Sequence, residues 1–256
     1  MKKITKLSII SIVIVVALLV LWRIKATTNF TIEWHEIKPQ TFSQLKPLLE
    51  PLPAITRQAF IPAVKPYTYA NDPRLAHIAE QPAEQQSLVE QKVVEGITQS
   101  LQNDWNKKIT NTLLGLENNE LAAAYIAIAY DSAHKPLGFA LFKETPISEE
   151  LKKLVSLTQG SSEHILNTHD EIFVDLLAVL PDIQGKGVGK ALLLSVLNNC
   201  PHIKKIYLRT FADDANKKTQ GFYEHVGFTC LLTGTWESTD TGDLKREKSL
   251  YLYQRP

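Results

Sequence analysis

Val174-Asp-Leu-Leu-Ala-Val-Leu-Pro-Asp-Ile-Gln-Gly-Lys-Gly-Val-Gly-Lys-Ala-Leu-Leu-Leu194 decides how this chain is read. An apolar run ends at Pro181, glycines follow at 185, 187 and 189, and an apolar helical pattern then begins. That order sets a bare-backbone turn at the start of a helix, where unpaired N–H groups and the helix dipole attract phosphate. The expected ligand is a pyrophosphate, and therefore a nucleotide-containing cofactor.

Three phosphate-binding patterns compete for the segment. A Walker A loop needs four residues between its first glycine and the Gly-Lys pair, and then Ser or Thr. Here Gly185 and Gly189 enclose three residues, and Ala191 follows Lys190. A dinucleotide fingerprint needs G-x-G-x-x-G, whereas Gly185, Gly187 and Gly189 form G-x-G-x-G. The third pattern, Gln/Arg-x-x-Gly-x-Gly/Ala at a strand-to-helix turn, fits Gln184-Gly185-Lys186-Gly187-Val188-Gly189 at every position. This resembles the coenzyme A pyrophosphate loop of the GNAT superfamily of acyl-CoA-dependent N-acyltransferases. A second segment, Asn216-Lys-Lys-Thr-Gln-Gly-Phe-Tyr-Glu-His-Val-Gly-Phe228, resembles the superfamily's Asn-(x)6-Tyr-Glu-x-x-Gly-Phe signature. Its residues also make sense locally. Asn216 is a good N-cap, and Gly227 suits the left-handed turn that ends a helix.

The chain has 256 residues, 28 basic and 27 acidic side chains and a net charge of +1. That length suits one globular domain with a proper core. A balance so near neutrality argues against nucleic acid as a partner. Cys200 and Cys230 lie in segments that read as core, outside metal-ligand spacing, and read as reduced thiols rather than a disulfide. No metal site is expected.

Residues 1–29 read as a membrane anchor and linker. Leu7 to Trp22 carries no charge, with Lys2, Lys3 and Lys6 before it and Arg23 and Lys25 after it. As a helix it spans about 24 Å, short of a bilayer core of about 30 Å, but flanking lysines and Trp22 extend its reach. A signal peptide shares the basic start, yet should end in small residues rather than Trp-Arg-Ile-Lys. Charge counting puts the following domain outside the cytoplasm, whereas a cytosolic acyl-CoA substrate puts it inside. The cofactor decides for a single-pass membrane protein with a cytoplasmic domain.

Residues 30–256 read as the N-acetyltransferase-like domain, with residues 171–230 as its motif-bearing core. Phe30–Ile37 alternates as a first strand, and Pro39 to Asn119 reads mostly helical, broken into short pieces by prolines at 47, 51, 53, 62, 66, 73 and 82 before a longer helix over Ala83–Leu116. Leu121–Tyr130 and Leu137–Phe142 form a predicted hairpin. A polar connection with a possible helix at Glu149–Leu157 leads to a fourth strand at Ile172–Val179, and a fifth is expected at Ile203–Thr210. The final strands fall near Thr229–Thr235 and Lys248–Tyr253. The fold class is α/β. The resemblance implies a mixed, mostly antiparallel twisted sheet flanked by helices, here preceded by a single hydrophobic transmembrane helix.

The resemblance further implies acetyl-CoA as acyl donor and an amine as acceptor. The pyrophosphate would lie on Gln184, Gly185, Lys186, Gly187, Val188, Gly189 and Lys190, with Gly187 and Gly189 admitting phosphate where a Cβ would intrude. Main-chain groups of Leu177 and Val179 would hold the pantetheine arm, and Asn216 would touch it. Tyr223 resembles the general acid that protonates the departing sulfur. The base stays open. Alternation puts Phe173, Asp175, Leu177 and Val179 on one face, so Asp175 is expected to be a buried carboxylate with a raised pKa suited to a base. It can equally pair with a neighbouring cation, and Glu171, His169 and His225 are alternatives. A non-catalytic acyl-CoA-binding module at a membrane, or an extracytoplasmic domain with another ligand, are the competing functions.

Overall fold

The alternating runs at the centre of the chain build the centre of the sheet. β2 (Ala123–Tyr130) and β3 (Pro136–Glu144) pair antiparallel around the polar turn at Asp131. Asp131 Oδ1 closes that turn by accepting the N–H groups of Ala133 and Lys135, each at 2.9 Å. β1 (Thr31–Glu36) pairs with β2, and β4 (Glu171–Val179) pairs with β3, both antiparallel. β5 (Lys205–Phe211) lies parallel to β4. β7 (Arg246–Gln254) inserts between β5 and β6 (Thr229–Trp236), so the seven strands run β1-β2-β3-β4-β5-β7-β6. The computed structural model describes residues 29–71, 82–144, 170–212, 216–236 and 246–255. The apolar run 7–22, the expected helix at 149–157 and His169 lie outside them. No helix among the described residues is long and apolar enough to cross a membrane.

Both sheet faces are covered. On one lie α1 (Phe42–Leu49), α2 (Leu52–Asn71) and α3 (Ala83–Glu117), where Trp105 and Ile109 meet Ile126, Ile128, Phe139, Leu141 and Ala178. On the other lie α4 (Val188–Asn199) and α5 (Lys217–Val226), where Val188, Leu192, Leu193, Val196, Tyr223 and Val226 meet Ala127, Ala140, Phe142 and Val174. Polar faces outward and apolar faces inward give the three-layer α/β arrangement.

Two expectations change here. Pro53, Pro62 and Pro66 do not fragment the chain, because α2 runs unbroken from Leu52 to Asn71, whereas Pro51 lies in the break between α1 and α2. Pro53 sits in the first turn, where its missing N–H costs no bond, and Pro62 and Pro66 each remove one. The two thiols are free as expected, but only Cys200 is buried; Cys230 is exposed.

A bulge in β4 sets up the site. Leu141 pairs with Leu176 but Phe142 pairs with Val174, leaving Asp175 as an extra residue in the strand. A bulge bends a strand and increases its twist. Correspondingly, β4 and β5 pair only over Glu171–Val174 with Lys205–Leu208, and beyond Val174 the two strands part. The result is a fork in the sheet, with Asp175 at its apex.

Candidate active site

One arm of the fork is the second half of β4. Leu180 N donates to Leu137 O at 2.9 Å, so Leu180 and Ala178 direct their backbone toward β3. Alternation then aims the main-chain groups of Leu177 and Val179 into the fork, on the side that has no strand partner among the described residues. The Val179 carbonyl is already occupied. It accepts a hydrogen bond from Gln184 Nε2 at 3.2 Å, so Gln184 folds back onto the strand rather than reaching outward.

The glycine loop closes the mouth of the fork. Gly185 and Gly187 have φ of +78° and +85°, which any Cβ would strain. Gly187 occupies the N-cap position of α4, and the first helical bond, Ala191 N to Gly187 O, measures 3.0 Å. The amides of Val188, Gly189 and Lys190 therefore have no intrahelical acceptor. A Cβ at Gly187 would meet nothing within 4 Å. Lys186 and Lys190 are exposed beside it. The loop thus offers converging donors, a helix N-terminus and two cations, the chemistry an anion requires.

Gly189 has a packing reason besides the one expected. Its Cβ would lie 3.1 Å from Phe222 Cζ and 3.7 Å from Val179 Cγ2. Glycine here lets α5 seat its Phe222 on the first turn of α4, which ties the loop to the helix carrying Tyr223. Phe222 was not legible as a site residue, because only the fold brings it to the loop.

Tyr223 is buried in the same apolar cluster as Leu177 and Val179, 8% exposed. Its ring packs against Phe222, Phe228 and Tyr251. Burial, reinforced by Tyr251, pushes its hydroxyl well above the usual tyrosine range, so it stays protonated at neutral pH. Asn216 is buried at the N-cap position of α5, yet its side chain does not cap the helix.

Asp175 departs most from expectation. The bulge places Val174 and Leu177 on the α4–α5 side, so strict alternation fails between them. Asp175 instead faces α3, with its Oδ1 2.9 Å from Lys108 Nζ and its Oδ2 2.7 Å from Lys143 Nζ. Burial alone would raise its pKa, but the two ammonium groups outweigh it and hold the carboxyl below its ordinary value. The expected raised pKa is therefore reversed. Lys108 and Lys143 carried no sequence signal, since a contact 67 residues apart leaves no spacing to read.

Of the alternative bases, Glu171 is buried and pairs with Lys205 Nζ at 3.1 Å. His225 is exposed on α5. Among the described residues no group of three or more His, Cys, Asp or Glu could hold a metal.

The sequence pattern of the Acetyltransferase (GNAT) family matches residues 91–228, which span the fork, the loop and Tyr223. The chain belongs to the GNAT acetyltransferase family. That family uses acetyl-CoA as acyl donor. Peptidyl-lysine N-acetyltransferase YjaB of Escherichia coli (strain K12) is 29% identical over 122 residues, or 48% of this chain. The chain spans 60% of the length of that curated relative. Among solved structures, PaiA N-acetyltransferase of Thermoplasma acidophilum, in complex with coenzyme A, aligns at a TM-score of 0.43 and 15% identity, covering 88% of this chain and 99% of that one. A GNAT-family protein of Desulfovibrio desulfuricans aligns at 0.42 and 14%, with 88% and 99% covered.

Proposed function

We propose that this chain is an N-acetyltransferase that moves an acetyl group from acetyl-CoA directly to an amine. The observation that carries the reading is the fork between β4 and β5, which opens onto the unbonded amides at the start of α4. The pyrophosphate lies on residues Gly185 to Lys190, neutralised in part by Lys186 and Lys190. Gln184 supports the loop through its bond to Val179 O. The pantetheine arm enters the fork as a surrogate strand. It meets the main chain of Leu177 and the N–H of Val179, the groups left without a strand partner. The buried Asn216 borders the arm from the start of α5.

The reaction asks for little beyond juxtaposition, and positioning alone supplies several kcal/mol of rate enhancement. The neutral amine nitrogen attacks the thioester carbonyl carbon, and the C–S bond breaks as the amide forms. Tyr223 gives its proton to the departing sulfur and recovers one from solvent, while the acceptor's surplus proton leaves to water. Asp175 carries its charge into the site but is a poor proton acceptor beside two ammonium groups. Its part is to position Lys108 and Lys143 at the apex of the fork. Residues 7–22 tether the domain to a membrane, on the cytoplasmic side where acetyl-CoA is available.

The test is acetyl transfer from labelled acetyl-CoA to a panel of amines, peptides and protein lysines, with wild type beside Tyr223→Phe. Turnover by wild type and a much slower reaction by the variant, with coenzyme A bound equally by both, is the expected result. Tight coenzyme A binding without transfer to any amine would reduce the chain to an acyl-CoA-binding module.

A further inference from the structure

The cluster at the apex of the fork is unbalanced in charge. Lys108 projects from α3 and Lys143 from β3, and both pair with Asp175. Asp175 is the one carboxylate that either ammonium contacts among the described residues, so the cluster carries an excess of one positive charge. The three side chains are 26%, 15% and 12% exposed, respectively. Charges this far withdrawn from water interact more strongly than surface ones and are costly when left uncompensated. The nearest other acid along β3, Glu144, is engaged by the Tyr125 hydroxyl at 2.9 Å and by His202 at 3.2 Å. The surplus charge therefore stands at the first unpaired position of β4, beside the strand segment against which the acyl donor would lie.

We propose that Lys108 and Lys143 bind a carboxylate on the acceptor, so that the acetylated amine belongs to a small amino-acid-like molecule. This rests on the acetyltransferase reading of the same fork. The chemistry follows from the count of charges: a monoanion neutralises a surplus of one, whereas a dianion overshoots it. The remaining positive field also disfavours the ammonium form of the incoming amine and so eases loss of its proton. A peptide lysine side chain brings a cation and no carboxylate to this place, and is the acceptor class the cluster fits worst. Asp175 and the bulge are the devices that hold both lysines forward.

The experiment compares matched acceptors. Each amino acid of a standard panel is assayed against its own amide with labelled acetyl-CoA, using wild type and Lys108→Met. The substitution leaves Lys143 paired with Asp175 as a neutral couple, so the cluster keeps its fold. A charge-assisted contact predicts at least about a tenfold preference in kcat/KM for the best acid over its amide. The Lys108→Met protein should lose most of that ratio. Equal rates for acids and amides in wild type overturn the inference while leaving the acetyltransferase reading intact. Should no amine react, melting of the wild-type protein with coenzyme A is followed with N-acetylglycine and with N-acetylglycinamide. Stabilisation by the acid alone upholds the carboxylate site even though the catalytic reading falls. Equal or absent stabilisation overturns it.

Discussion

Replacing Asp175 by Asn removes the one negative charge that two half-buried lysines share. In the wild-type protein Asp175 lies 2.9 Å from Lys108 and 2.7 Å from Lys143, and all three side chains are less than about a third exposed. Asn keeps the shape but leaves two ammonium groups facing each other. Breaking a buried ion pair from one side costs about 3–5 kcal/mol. The lysine stems let both heads withdraw toward water, so the lower end, about 3 kcal/mol, is expected. For a domain of this size, about 2–4 °C per kcal/mol converts that to a fall in Tm of about 6–12 °C. Calorimetric melting and urea titration read it directly.

The pH dependence gives a second reading of the same variant. The folded-state pKa of Asp175 lies below the ordinary aspartate value of about 3.9. Its stabilisation is therefore complete above that value and lost as pH falls through the folded-state pKa. The gap between wild type and Asp175→Asn should be constant near neutrality and close only in strong acid. A triple replacement, Lys108→Met with Lys143→Met and Asp175→Leu, should return to within about 1 kcal/mol of wild type, since apolar substitutes for buried ion clusters are commonly neutral or better. An Asp175→Asn protein as stable as wild type to within about 0.5 kcal/mol refutes the half-buried cluster.

Three further outcomes are expected. Tyr223→Phe retains the ring packing against Phe222, Phe228 and Tyr251, so its Tm stays close to wild type while kcat falls about 10²–10⁴-fold; an unchanged kcat removes Tyr223 from the proton path. Because burial raises the Tyr223 pKa, kcat/KM should climb with deprotonation of the acceptor and show no declining limb below about pH 10, which a pH–rate profile checks. Gly189→Ala brings a Cβ to 3.1 Å from Phe222 Cζ and should cost about 1–3 kcal/mol by overpacking; adding Phe222→Leu should recover most of that loss, and no recovery would mean that the ring is not the obstacle.

Features encoded locally were readable in the chain. Gly185 and Gly187 mark positive-φ positions, the apolar run from Val188 marks α4, and Gly227 marks the end of α5 at a φ of +109°. The hairpin from Ala123 to Glu144 and both C-terminal strands follow from alternation and turn residues. What escaped is non-local or breaks the periodicity. Alternation placed Asp175 with Leu177, but the extra residue opposite Leu141 and Phe142 turns it toward α3. No spacing joins Lys108, Lys143 and Asp175, and none announces that Phe222 rests on Gly189. The insertion of β7 between β5 and β6 is likewise a matter of tertiary pairing rather than of any segment's own pattern.

The most direct test of the account is amide hydrogen exchange with and without saturating acetyl-CoA. The amides of Leu177 and Val179 and those of Val188, Gly189 and Lys190 should gain protection together, since they are the donors left without strand or helix partners. Protection confined to other parts of the chain, or no change in the fork while acetyl-CoA is bound, would contradict a coenzyme A site between β4 and β5.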